Sequence, residues 1–219
     1  MNNQQTAPKI ILVGGGSCSG KSTLAKNIFR ELSPRTFVER ISIDDYYKDL
    51  SDKDPELLND YNFDSPEAVD AKLLFMHLKT LLSGKPVKRQ HYDFKTHSIS
   101  YPGTEVNPAA FIIVEGIFAL YFKELRQMAA ASIFLESPAD IRLIKRIKRD
   151  RVERGLDVDF IIRQYCETVR PMHDLYVASS VKYADLIVDS GKFDEAANLK
   201  KAMNFLSERF FKHHSVSGA

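Results

Sequence analysis

Cysteine is scarce in this chain: only Cys18 and Cys166 occur, far apart and outside any CxxC or Cys/His spacing. That argues against a disulfide framework and against a thiolate zinc site. Long apolar runs are missing too, and no segment approaches the roughly 20 residues that a membrane-spanning helix needs. The opening MNNQQTAPK has no apolar core of signal-peptide type. A reducing, cytoplasmic setting without membrane attachment is expected. Neither sign of charge dominates, since 31 basic residues face 29 acidic ones for a net charge of +2. An acidic partner would therefore have to be recognised by a local cluster. Internal repeats and low-complexity tracts are absent.

What the chain has is an ordinary globular composition, 44% hydrophobic and 27% charged over 219 residues. That length can bury one sizeable core, so 1–219 reads as a single domain. Residues 1–8 and 211–219 read as a flexible N-terminus and a tail. Five short apolar runs, IILVG, FVERISI, FIIVEG, ASIFL and DLIV, read as buried parallel strands. Helical patterns alternate with them. One runs from Lys21 to Leu32. A second opens at Ser65-Pro66, carries Val69, Leu73, Leu74, Leu78, Leu81 and Leu82 at helical spacing, and stops at Gly84. A third runs from Ser137-Pro138 to about Gly155, and the last covers Glu195 to Phe210. This alternation predicts an α/β fold: a parallel five-stranded sheet with helices on both faces. Residues 86–101, PVKRQHYDFKTHSISY, break the rhythm by alternating polar and aromatic residues. They predict an exposed β-ribbon inserted into the core, an insertion of the kind that carries specificity.

Gly15-x-x-x-x-Gly20-Lys21-Ser22 matches the phosphate-binding loop pattern, placed as its mechanism requires between a predicted strand and a predicted helix. The small residues let backbone N–H groups turn toward a triphosphate and keep Cβ atoms clear of its oxygens, while the helix start adds unpaired donors. Gly15, Gly16, Ser17, Cys18, Ser19, Gly20, Lys21, Ser22 and Thr23 form the expected ATP-binding set. Lys21 would reach the β- and γ-phosphates and the Ser22 hydroxyl would bind Mg²⁺. A dinucleotide fingerprint would need glycine at 14, 16 and 19, and position 19 is Ser. Cys18 reads as a small filler of the loop. The fold is thereby specified as the P-loop NTPase type, with ATP, or else GTP, as donor.

Phosphoryl transfer to an alcohol needs a carboxylate in the metal shell and another to take the proton. Glu115 ends FIIVEG and is the metal candidate beside Ser22. Asp44 ends FVERISID and is the proton acceptor, with Asp45 as its acidic rival. The segment IRLIKRIKRDRVERG, 141–155, concentrates Arg142, Lys145, Arg146, Lys148, Arg149, Arg151 and Arg154 against Asp150 and Glu153. It reads as a solvated amphipathic face over a buried Leu143, Ile144 and Ile147 stripe, as a nucleic-acid contact, or as a lid over 138–157 whose arginines neutralise a transferring phosphoryl group. Given the phosphate loop, the lid reading is preferred and nucleic acid is not expected.

Together these motifs resemble the uridine kinase (uridine-cytidine kinase) family of P-loop nucleoside kinases. GGSCSGKST is similar to that family's phosphate loop, ISIDDYYKD to its catalytic aspartate strand, YNFDSPEAVD to its N-[FY]-D segment and HYDFKTHS to its base-recognition ribbon. FIIVEGI, KRIKRDRVERG, QYCETVRPM and KYADLIV follow in the family's order. The resemblance implies transfer of the ATP γ-phosphoryl group to the 5′-hydroxyl of uridine or cytidine, in pyrimidine salvage. It implies that Asp44 and Lys21 are catalytic and that Asp64 with Arg146 holds the ribose. It also implies that Tyr92, Phe94, His97 and Gln164 line the base pocket, that Arg149 and Arg154 clamp phosphates, and that Ser22 and Glu115 hold Mg²⁺. Tyr92 and Phe94 at i, i+2 could equally form a small satellite core. A homo-oligomer, tetramer or dimer, is implied as well. The chain departs from the family at Ile99 and Leu156, where a basic residue is usual, and at Gln90-His91, where a proline is usual before the YDF run. A related kinase of phosphoribulokinase or pantothenate kinase type, acting on another alcohol, is the alternative; a nucleic-acid-binding ATPase stands further off.

Overall fold

The structure is a computed structural model that describes residues 7–54, 58, 61–192 and 194–211. The expected flexible N-terminus up to residue 6 and the tail from 212 onward lie outside the described residues. Strands β1 (Lys9–Gly15), β2 (Val38–Ser42), β7 (Phe111–Glu115), β8 (Ala129–Glu136) and β9 (Leu186–Asp189) form one five-stranded sheet. Their order is β2-β7-β1-β8-β9, and every pairing is parallel. Side chains of a strand alternate between faces, so the central strand serves two cores. Ile10 and Leu12 of β1 join one cluster with Ile112, Val114 and Leu74. Ile11 and Val13 join the other with Ile113, Leu24 and Ile28.

Helix α1 (Lys21–Leu32) follows β1 directly and buries Leu24, Ala25, Ile28 and Leu32. Helix α2 (Ala71–Leu82) covers the opposite face with Leu74, Leu78 and Leu81, and α3 (Lys123–Met128) leads into β8. Helix α4 (Ala139–Glu153) follows β8, as Ser137-Pro138 predicts, with Pro138 at its N-cap. Helix α5 (Val158–Gln164) continues into two π-turns, Tyr165–Val169 and His173–Val177. The closing helix α6 (Glu195–Phe210) is capped by Asp194, whose side chain accepts from Ala197 N at 2.8 Å.

Several boundaries differ from the sequence reading. Strand β2 stops at Ser42, and Ile43–Tyr46 is a 3₁₀ turn, so Asp44 sits two residues past the strand and not on its last position. The Ser42 hydroxyl accepts from Asp44 N at 3.3 Å and turns the chain there. Ser65-Pro66 opens only the 3₁₀ turn Pro66–Ala68; α2 starts later, where the Asp70 side chain accepts from Leu73 N at 3.0 Å. The ribbon extends beyond residue 101, because β3 (Val87–Lys88) pairs with β6 (Glu105–Val106) while β4 (His91–Asp93) pairs with β5 (Ser98–Ser100). The largest difference lies in α4. Arg142, Arg146 and Asp150 face inward, and Ile144 of the expected apolar stripe is exposed.

Candidate active site

The neighbours of β1 diverge to opposite sides of it, which opens a crevice at the carboxyl ends of the strands. The phosphate loop fills that crevice. Gly15 (φ +147°) and Gly20 (φ +96°) adopt backbone that side chains rarely take. A Cβ on Gly15 would fall 2.6 Å from the Leu135 carbonyl oxygen. Cys18 also has positive φ, +61°, a conformation costly for a residue with a Cβ. The Ser19 hydroxyl is buried and has no hydrogen-bond partner among the described residues. Lys21, first residue of α1, is buried at 7% exposure. A loop with this shape, an orphaned hydroxyl and an inward lysine fits a polyphosphate. Thr23 faces a different, smaller hollow of about 70 Å³ with Asn27, Ser190 and Asn198.

The Ser22 hydroxyl donates to Glu115 Oε2 at 3.0 Å, while Arg40 Nη1 meets Glu115 Oε1 at 3.4 Å. Burial raises the Glu115 pKa, partly offset by Lys21. Among the described residues no group of three or more His, Cys, Asp or Glu side chains could enclose a metal. A hydroxyl and one carboxylate suit Mg²⁺, which keeps most of its shell as water and phosphate oxygens.

Beside the loop lies a cleft of about 370 Å³. Ser17, Lys21, Asp44, Asp64, Arg146, Arg149, Arg154 and Gln164 all line it, together with Phe94 and His97 of the ribbon. Residues predicted from six separate segments thus meet in one cavity. Asp45 does not join them: its carboxylate takes the Tyr92 N–H at 3.3 Å and pairs with His91 Nδ1 at 3.0 Å. Tyr92 is set behind the wall, 1% exposed, with its hydroxyl 3.2 Å from His97 Nδ1. It packs on Tyr47 and Phe94, so of the two readings of this aromatic pair Tyr92 takes the core role and Phe94 the cleft. Phe63 is the flat wall that sequence reasoning missed, stacked on His97 with ring centroids 5.0 Å apart and planes 17° from parallel. Its only sequence signal is its place in YNFD. Burial lowers the His97 pKa and Arg154 lowers it further. Desolvation raises the Asp64 pKa against the pull of Arg146.

The lid helix supplies the cations. Arg146 Nη1 donates to Ser17 Oγ at 3.0 Å and its Nη2 to Gln164 Oε1 at 2.7 Å, joining phosphate loop, lid and α5. Asp150, fully buried, gathers Arg146 at 3.3 Å, Arg149 at 2.8 Å and Arg154 at 3.5 Å. Asp150 was not singled out from sequence, although its i, i+4 spacing from Arg146 is the available clue. Arg154 also lies over the Phe94 ring, 4.8 Å from its centroid. Of the three family departures, Leu156 lines the cleft, Ile99 pairs with Tyr92 within the ribbon, and Gln90-His91 both bond Asp45, Gln90 Nε2 donating to its carbonyl at 2.7 Å. No helix among the described residues is long and apolar enough to cross a membrane.

The model of the phosphoribulokinase / uridine kinase family matches residues 10–197. A uridine kinase of Deinococcus deserti is 40% identical over 190 residues, covering 87% of this chain and 91% of the other. A uridine kinase of Chloroflexus aurantiacus is 42% identical over 187 residues, covering 85% and 88%. Phosphoribulokinase from Rhodobacter spheroides is 17% identical with a TM-score of 0.59, covering 85% of this chain and 71% of that one; the likeness is one of fold.

Proposed function

This chain belongs to the phosphoribulokinase / uridine kinase family, a family of P-loop kinases, and from that premise we propose that it phosphorylates the 5′-hydroxyl of a pyrimidine nucleoside, uridine or cytidine, at the expense of ATP. The observation that carries the reading is the single cleft in which Lys21 and Ser17 face Asp44 and Asp64 beside the stacked Phe63 and His97 rings. A flat aromatic wall suits a nucleobase better than an open-chain polyol.

The backbone of Gly15 to Gly20 and the Lys21 ammonium hold the β- and γ-phosphates. Ser22 and Glu115 would hold Mg²⁺, whose chemistry here is charge neutralisation on phosphate oxygens. Asp64 and Arg146 orient the ribose hydroxyls, so that the 5′-oxygen points toward the donor. Asp44 accepts the proton of that hydroxyl as it attacks. Arg149 and Arg154 come over the transferring group and balance its charge without reorganising at the moment of reaction. Because Arg146, Arg149 and Arg154 turn inward around Asp150, α4 is a lid in this reading and not a nucleic-acid surface. Assembly as a dimer or tetramer belongs to the same proposal, and sedimentation reads it directly.

Leu156 supports a second acceptor reading, since an apolar side chain lines the cleft where the family usually carries a cation. A panel of nucleosides, ribulose 5-phosphate and pantothenate with ATP and Mg²⁺ separates the two. Formation of uridine or cytidine 5′-monophosphate is the expected result. Turnover of another alcohol alone would replace the nucleoside and keep the kinase.

A further inference from the structure

Gly16 lacks the feature that explains Gly15 and Gly20, because its φ is not in the left-handed region. A Cβ there would nevertheless lie 2.8 Å from Arg142 Nη1 and 2.9 Å from both Cε1 and Nδ1 of His173. The residue is small because two of the protein's own side chains press on it, not only because phosphate must approach. These side chains come from different elements. Arg142 belongs to the first turn of α4, and His173 opens the second π-turn of the helical arm that follows α5. Such π-turns re-aim side chains and gather at functional sites.

The pair is set up at some cost. Arg142 is 3% exposed, and its Nε donates to the Ser137 carbonyl at 3.2 Å. Its Nη1 and the His173 Nδ1 are both buried without a partner among the described residues. Together with Gly16 and Ser137 they line a cavity of about 110 Å³, polar and roomy enough for ordered water. His173 stays an uncharged ring there, its pKa lowered to about 4 by burial and then by Arg142. Orphaned polar atoms of this kind are destabilising, so packing economy does not explain them.

We propose that Arg142 and His173 are positioning residues that brace the phosphate loop at Gly16 from behind and thereby set its affinity for the nucleoside triphosphate without touching it. The inference rests on the reading of the loop as a donor site. A loop whose N–H groups must meet phosphate oxygens at about 2.7–3.1 Å loses affinity if its first turn drifts, and the loss of one hydrogen bond to a charged phosphate costs on the order of tenfold to a hundredfold. Through this contact the lid helix and the arm after α5 act on one glycine.

Calorimetric titration of the full chain with ADP and with ATP tests it, using Gly16→Ala, His173→Ala and their combination, with thermal melts alongside. Gly16→Ala is expected to weaken binding by about tenfold or more, because the added methyl pushes the loop forward. In the double variant the Arg142 guanidinium can shift into the space left by the ring and so clear the methyl, and binding is expected to recover toward that of His173→Ala alone. Multiplicative losses in the double variant would overturn the proposal, since the methyl would then be meeting phosphate and not imidazole. If His173→Ala does not fold, His173→Asn paired with Gly16→Ala reads the same coupling, as does Arg142→Lys. Wild-type protein that binds neither nucleotide would sink the donor-site reading itself, an outcome distinct from additive variants.

Discussion

Helix α1 buries Leu24, Ala25, Ile28 and Leu32 against the sheet, whereas α4 turns Arg142, Arg146 and Asp150 inward and leaves Ile144 and Val152 in solvent. Full burial of an aliphatic side chain stabilises by about 1.5–3 kcal/mol. Burying a charge network seldom stabilises relative to apolar packing, because desolvation offsets the Coulomb gain. Helix α1 begins at the cleft and α4 lines it, yet of the two only α1 places buried residues in a hydrophobic core cluster among the described residues. The orientation of α4 makes sense as preparation for an anionic ligand. One helix therefore reports on the fold, and the other reports on what the fold is for.

The sharpest break of that comparison comes from inside the cleft. Asp44→Asn is expected to lower kcat by about 10² to 10⁴ while the melting temperature and the ATP titration stay put. Unchanged turnover would remove Asp44 as proton acceptor. Asp150→Asn strikes the charged helix at its centre and leaves three guanidiniums without their shared partner. A stability loss of about 3–5 kcal/mol is expected by denaturant titration, together with a lower kcat/KM, because the arginines spread. On the apolar side, Ile28→Ala should cost about 2–5 kcal/mol with kcat per folded molecule preserved. If Ile28→Ala instead lowered kcat as much as Asp150→Asn does, the division of labour between the helices would fail.

The smallest expected effect is one of pH. His173 has a folded pKa of about 4 against an ordinary 6.5. The unfolded chain therefore takes up a proton that the native state refuses, and stability is lost as pH falls from about 6.5 toward 4. Glu115 and Asp64, whose pKa values are raised, act in the opposite sense in the acid range. The comparison to make is therefore wild type against His173→Asn, by urea titration at pH 7 and pH 5. A smaller drop in the variant is expected; equal drops would return His173 to an ordinary exposed imidazole.

Legibility in the sequence follows the same division. The Lys21 to Leu32 and Glu195 to Phe210 helices coincide with their expected bounds, because apolar periodicity and end signals there report directly on burial. Periodicity misleads in α4, where Leu143, Ile144 and Ile147 suggest an inward stripe but the cavity demands arginines. Ser65-Pro66 is a sound start signal that the chain spends on a single 3₁₀ turn, because Val69 bridges to Tyr47 before α2 begins. That Ser22 meets Glu115 and that Lys21 shares a cleft with Asp44 was readable because these residues sit in spaced motifs at the ends of predicted strands. Phe63 and His173 were not, since stacking on His97 and pressure on Gly16 arise only once distant segments meet.

The loop after β9 has a consequence of its own. The Ser190 hydroxyl lies 2.8 Å from the Ser19 carbonyl and 3.0 Å from that of Glu136, so it rivets the far margin of the sheet to the cradle at the N-terminal end of α1. That side of the phosphate loop is tied to the sheet. Under the proposed function, any opening that lets spent donor leave would then come from the arginine-bearing α4 side, which makes no such bond to the sheet margin through Ser190.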